Sequence, residues 1–188
     1  MADLNVASSA CHNQPAQTSI DQQKIRPAID SRIAEGYETM KPKTTGMKRG
    51  RVPWVQKLRP EMKQEIVADP KGRGQLLLPT PLLIAQEIST VRPGHLLKVS
   101  VLRAQLAARF GADLTCPLMV GIFYNIIAGA AEEQISAGET PLAPYWRVVP
   151  DNGTLSPKTP AGPERQAEHL REEGHIVEMV KDKLTIII

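Results

Sequence analysis

The stretch from Pro144 to Gly174, PYWRVVPDNGTLSPKTPAGPERQAEHLREEG, limits the possible folds more than any other part of the chain. Tyr145 to Val149 alternates bulky and β-branched residues, which predicts a strand. Asp151-Asn152-Gly153 is a tight-turn signal, because Asn and Gly tolerate the positive φ of a hairpin. Thr154-Leu155-Ser156 then returns as a second strand. Gly162-Pro163-Glu164 opens a helix with proline early, where its missing N–H costs nothing. Gly174 ends that helix as a C′ glycine. The order is strand, turn, strand, loop, helix.

Upstream, Thr80 caps a helix with Pro81 at its first position, and that helix runs towards Pro93-Gly94. His95 to Val99 reads as a short strand, and Ser100 as the cap of the next helix, with Val101, Leu102, Leu106 and Ala107 apolar. Phe110 to Asp113 makes a turn. Thr115 caps a third helix, in which Leu118, Ile122, Phe123, Ile126 and Ala130 recur at helical spacing to about Ile135. Two helices across a short Gly-containing turn, followed by a hairpin, describe a winged helix-turn-helix. The expected class is therefore α+β, mainly helical, with a β-hairpin wing. Beyond Gly174, His175–Val180 and Leu184–Ile188 read as two strands joined by Lys181-Asp182-Lys183. Nearer the start, Pro60-Glu61-Met62 opens a short helical stretch, and Trp54 is a core or docking anchor.

The 188 residues fit one domain with an N-terminal extension. Residues 1–51 are rich in Ser, Gln, Pro, Thr and Lys and read as a disordered arm. Residues 52–78 read as an extension packing on the core, and 79–188 as the winged-helix domain. Lys41, Lys43, Lys48, Arg49 and Arg51 form a basic run, read either as a solvated linker or as an arm that tracks phosphates. The net charge of +3 permits a nucleic-acid partner without demanding one. Two cysteines make no disulfide framework and share no ligand spacing with the four histidines, so neither a metal nor a cofactor is expected. The N-terminus lacks a signal-peptide pattern, and no apolar run is long enough to span a bilayer, so a cytoplasmic protein is expected.

The 144–174 stretch resembles the C-terminal DNA-binding domain of the O6-alkylguanine-DNA alkyltransferases. That family reads Pro-Cys-His-Arg-Val-Val, a glycine turn, a glycine-rich loop with a Tyr, and a helix ending Glu-Gly. Pro144, Arg147, Val148, Val149, Gly153, Leu155, Gly162, Leu170, Glu173 and Gly174 fall at matching places, allowing one extra loop residue. The resemblance extends more faintly upstream to about Pro79. Where the family has its nucleophilic Cys and activating His, this chain has Tyr145 and Trp146, and the loop Tyr is Lys158. A phenol with a pKa of about 10 beside an indole does not replace a thiolate and its base. The chain is thus most similar to the alkyltransferase-like proteins, which lack the Cys and bind alkylated DNA without repairing it.

The resemblance implies a protein that is not an enzyme. It implies double-stranded DNA as partner, recognition of alkylated guanine, and hand-over to a repair-system protein. The runner-up is a winged-helix adaptor or regulatory module without lesion recognition. By the resemblance, the helix after Thr115 is the recognition helix, and Leu118 stands where the family has an Arg that fills the gap left by a flipped nucleotide. Leu118 then acts as an apolar wedge. Ser100, Thr115, Leu118, Tyr124, Asn125 and Lys158 are the candidate DNA contacts. Tyr145, Trp146, Arg147 and Lys158 are the candidate lesion pocket. A bland reading stands beside each: core aromatics for Tyr145 and Trp146, a structural hub for Arg147, a solvated face for Tyr124 and Asn125. Cys116, in the first turn of a helix, reads as an inert thiol, with a dipole-activated nucleophile as the alternative.

Overall fold

Thr80-Pro81 starts the first helix as its chemistry requires. In the structure, a computed structural model describing residues 52–187, the Thr80 hydroxyl accepts the Leu83 N–H at 3.1 Å and Pro81 takes the first turn. This helix, α1 (Pro81–Ser89), buries Leu83, Ile84, Ala85 and Ile88. Helix α2 (Val99–Phe110) ends at Gly111. The long α3 (Pro117–Ser136) packs on α1 and buries Val120, Ile127, Ala128, Ala130 and Ala131. Helix α4 (Gly162–Glu172) ends at Gly174, whose φ of +87° lets its N–H reach the Arg171 carbonyl while His175 N–H reaches that of Leu170. This is the paired closure that favours glycine at C′.

The strands are short. Strand β1 (Glu65–Ala68) runs antiparallel to β2 (Gln75–Leu78), and β2 runs parallel to β4 (Leu114–Thr115). Strand β3 (Leu97–Lys98) runs parallel to β5 (Val148–Val149). Strands β6 (Val177–Val180) and β7 (Lys183–Ile186) form an antiparallel hairpin. Its two turn residues, Lys181 and Asp182, have φ of 49° and 58°, the left-handed pair that a two-residue hairpin loop needs. The other edge of β7 meets residues 153–155: Ile186 N–H donates to the Gly153 carbonyl, and Leu155 N–H to that of Leu184. On β6, the Val177 carbonyl accepts from Arg171. The fold is α+β.

Several expected boundaries move, each for a physical reason. Tyr145–Arg147 is a 3₁₀ turn and only Val148–Val149 is strand. Alternation along a strand would point one of the adjacent aromatics Tyr145 and Trp146 into water, whereas the turn buries both. The expected hairpin between Tyr145–Val149 and Thr154–Ser156 does not form, because β5 pairs with β3 and Thr154 bridges Thr185. Ser100 does not cap α2. Lys98 holds the cap position, and Ser100 sits inside the first turn, donating to the Asp151 carboxylate. Thr115 does not cap α3. Cys116 does so without a side-chain bond, and Thr115 belongs to β4. Residues 60–62 are not helical; the 3₁₀ turn precedes them at Val55–Leu58, and Glu65 already begins β1. The basic arm expected over residues 1–51 lies outside the described residues. Among the described residues, no helix is long and apolar enough to cross a membrane.

The first described segment is fastened to the C-terminal half of α3. Glu133 accepts the N–H groups of Trp54 (2.9 Å) and Val55 (3.1 Å), and Leu58 is fully buried. The Trp54 indole lies against Gly129, where an added Cβ would meet ring carbons at 2.5 Å. Overpacking here costs about 2 kcal/mol, against a helix-propensity gain of about 1 kcal/mol. Gly129→Ala is therefore expected to lower thermal stability by about 1 kcal/mol. In a Trp54→Ala background the same change is expected to raise stability, since only the propensity term remains. Thermal melts of the two single variants and the double variant check this, and a destabilising Gly129→Ala in both backgrounds would show that the indole is not the obstacle.

Candidate functional site

The Tyr145–Val149 segment is held from α3, α4 and the α1–β3 loop. The α4 sequence sets out a polar stripe, Gln166, His169 and Glu173, at i, i+3 and i+7, so one face of the helix turns three polar groups inward. Glu173 is the hub. Its carboxylate accepts from Trp146 Nε1 at 2.7 Å, Arg147 Nη2 at 2.7 Å, Arg147 Nε at 2.9 Å and Gly94 N–H at 3.1 Å. Arg147 also donates through Nη1 to the Val91 carbonyl. Burial works to raise the Glu173 pKa, but the bonds from Arg147, Trp146 and Gly94 outweigh it and hold the carboxyl below its ordinary value.

A second carboxylate, Glu132 on α3, gathers the other half. It accepts the Tyr145 hydroxyl at 2.9 Å, meets His169 Nε2 at 2.9 Å and pairs with Arg165 Nε at 3.1 Å. Burial again works upwards, and the bonds from Arg165, His169 and Tyr145 bring the Glu132 pKa down. Tyr145 itself is fully buried. Burial foremost, then the Glu132 charge beside it, push its phenol above the usual range, so the hydroxyl stays protonated. His169 stacks on Trp146 with ring centroids 4.3 Å apart. The carbonyls of the segment are also taken. Tyr124 donates from its hydroxyl to those of Tyr145 (3.3 Å) or Val148 (3.4 Å), and Gln166 donates to those of Trp146 and Val148.

The residues expected at the site are therefore divided. Tyr145, Trp146 and Arg147 come together, the two aromatics buried and Arg147 partly buried, with their polar groups bonded to Glu132, Glu173 and Val91, not as the lining of an open pocket. Lys158 stays on the surface of the 156–160 loop. Thr115 is buried and donates to the Arg103 carbonyl, so it is no surface contact. Tyr124 points inward, with burial pushing its phenol up, so it too leaves the expected DNA contacts. Asn125 is half-exposed and Ser100 exposed. Leu118, expected as an apolar wedge, and Ile122, on the same helical spacing, are 70% and 49% exposed. On α3 the first buried residue is Val120, and burial is continuous only from Ile127.

Two concavities open near these groups. A groove of about 370 Å³ runs beside Trp54, Gly129, Glu133 and Ser136. A cleft of about 120 Å³ lies between the starts of α2 and α3, with Val148 among its walls. Glu132, Gln166, His169 and Arg103 escape a motif-based reading; the i, i+3, i+7 stripe on α4 is the signal for two of them. Among the described residues, no group of three or more His, Cys, Asp or Glu is arranged to hold a metal ion. No family model, no curated protein and no solved structure matches the chain.

The carboxylates predict acid sensitivity. Glu173 has a folded pKa below its unfolded value of about 4.5, so its contribution is full above that pH and is lost as pH falls through the folded pKa. Glu173→Gln leaves Arg147 without its counter-charge and is expected to cost on the order of 3 kcal/mol at pH 7. In urea titrations the gap between wild type and variant should narrow steadily below pH 4.5. A gap independent of pH would show that the carboxylate charge is not what stabilises the hub.

Proposed function

We propose that the protein is a non-catalytic, alkyltransferase-like DNA-binding protein of the cytoplasm that engages duplex DNA with the first two turns of α3. The observation that carries this reading is the exposed pair Leu118 and Ile122, one turn apart at the start of a helix that follows α2 across a short turn. Gly121 between them is exposed and has no atom within 4 Å of an added Cβ, which leaves the helix surface low enough for close approach. Two large aliphatics on such a helix suit insertion between base steps. Exposed Arg92 and Lys98 flank the start of α2 with positive charge. In this reading α2 and α3 form the helix-turn-helix, and the β6–β7 hairpin stands as the wing. Alkylated guanine in the duplex is the lesion, and a repair-system protein takes it over.

The non-catalytic reading is supported by the chemistry of Tyr145. A nucleophile needs a base that withdraws its proton, and Glu132 instead holds the phenol in its acid form. Intact protein incubated with duplex containing O6-methylguanine is expected to keep its mass. A gain of one methyl group, lost in Cys116→Ser, overturns the non-catalytic reading.

The second reading, a winged-helix adaptor without lesion recognition, is favoured by the buried state of Tyr145, which leaves no stacking surface for a flipped base. Anisotropy titrations with matched duplexes decide between the two. Leu118→Ala is expected to weaken duplex binding by about 2 kcal/mol, from the apolar carbons withdrawn, with folding stability changed by under about 0.5 kcal/mol. Unchanged affinity in both Leu118→Ala and Ile122→Ala sinks the DNA-binding reading. Equal affinity for methylated and unmethylated duplex leaves DNA binding and removes the lesion.

A further inference from the structure

The cleft between α2 and α3 has apolar walls from Val99, Leu102, Pro117, Val120 and Val148, and Arg103 is the charged side chain along it. Arg103 is fastened in place. Its Nε donates to the Thr115 carbonyl at 3.3 Å, and the buried Thr115 hydroxyl donates back to the Arg103 carbonyl at 2.9 Å. Most other ordered arginines of this fold meet a carboxylate: Arg73 meets Asp69, Arg109 meets Glu87, Arg147 meets Glu173, and Arg165 meets Glu132. Arg103 has no such partner among the described residues, and its two terminal nitrogens have no acceptor there. A half-buried guanidinium pinned by Nε presents a fixed fork, the geometry that receives an oxyanion through two parallel bonds.

We infer that this cleft is a binding site for an oxyanion carried on a small apolar body. The anion, a carboxylate or phosphate monoester, lies on the terminal nitrogens of Arg103. The body, a single ring or branched chain, fills the space between Val99, Pro117 and Val148. Two sources supply that chemistry: a free small aryl acid, or a backbone phosphate of DNA with its adjoining sugar and base. Either occupant lies against Gly121, in the turns of α3 that carry Leu118 and Ile122, so occupancy bears directly on that face.

The test uses the full chain with benzoate and phenyl phosphate as probes, followed by calorimetry and by chemical shifts of the α2–α3 amides. Wild type is expected to bind both, and inorganic phosphate more weakly, because the apolar body is missing. Arg103→Met is expected to weaken probe binding at least about tenfold, the worth of a single charge-assisted bond at the low end of its range. Val99→Phe keeps Arg103 but enlarges a side chain that lines the cleft; it is expected to abolish probe binding in protein shown by melting to be folded. The duplex arm rests on the DNA-binding reading: there Arg103→Met is expected to reduce the salt slope by about one unit. Probe binding by wild type alone assigns the site to free acids. A slope change without probe binding assigns it to a duplex phosphate. Probe binding unaffected by both substitutions, or neither probe binding nor slope change in folded protein, overturns the inference. Loss of all duplex binding removes the proposed function and leaves the probe arm standing.

Discussion

The carboxylate of Glu173 holds this fold in register. It receives the Trp146 indole N–H, the fork of Arg147 and the backbone N–H of Gly94, so one group ties the end of α4, the 145–149 segment and the α1–β3 loop. Charged hydrogen bonds of this kind contribute about 1.5–3 kcal/mol each, and their loss leaves a cation buried without its partner. The parallel pairing of β3 with β5, the cover over Trp146 and the C-terminal closure of α4 at Gly174 all lie within this one knot. It is also why Arg147 serves packing and not recognition: its donors to Glu173 and Val91 leave it little to offer a ligand.

Glu132 makes the complementary half and sets the chemistry of the interior. A buried phenol beside a carboxylate is a hydrogen-bond donor and a poor nucleophile. With His169 stacked on Trp146 and also meeting Glu132, the aromatic pair is locked edge to face and ring on ring. What a reactive site would leave open is here occupied by side chains. The surface open for contact lies instead on the outer turns of α2 and α3, where Leu118 and Ile122 are exposed.

Much of the chain could be read before its structure, where local chemistry decides. Thr80-Pro81, Gly111, Gly162-Pro163 and Gly174 mark helix ends by rules that need no tertiary context, and α1, α3 and α4 lie close to where those rules put them. The β6–β7 hairpin follows from apolar runs around a polar turn. The failures occur where partners distant in sequence decide. The strand expected at Tyr145–Val149 yields to burial of two adjacent aromatics, and its pairing partner is β3, about fifty residues upstream, not the nearby Thr154. Thr115 looks like a cap by type and position, but β2 claims its backbone. The apolar periodicity of α3 runs through Leu118 and Ile122 as well as the core, and spacing alone does not tell the exposed first turns from the buried later ones. Of the candidate site, the α4 stripe of Gln166, His169 and Glu173 was within reach of spacing arguments, whereas the Arg147–Glu173 partnership, Arg103 and Glu132 become visible only when distant elements pack.

The placing of β7 has a consequence for the life of the chain outside its native state. Leu184-Thr185-Ile186-Ile187 is a short, β-branched, weakly charged segment of the kind that seeds cross-β stacking when bare. In the fold both its edges are occupied, by β6 on one side and by residues 153–155 on the other. The outer edge of β6 is then blunted by Arg171 on the Val177 carbonyl and by the charges of Glu178 and Lys181. Peeling of the 153–155 segment alone would uncover a sticky ribbon while the helices stay folded. Aggregation should therefore begin from a nearly native form, at temperatures below the main unfolding transition.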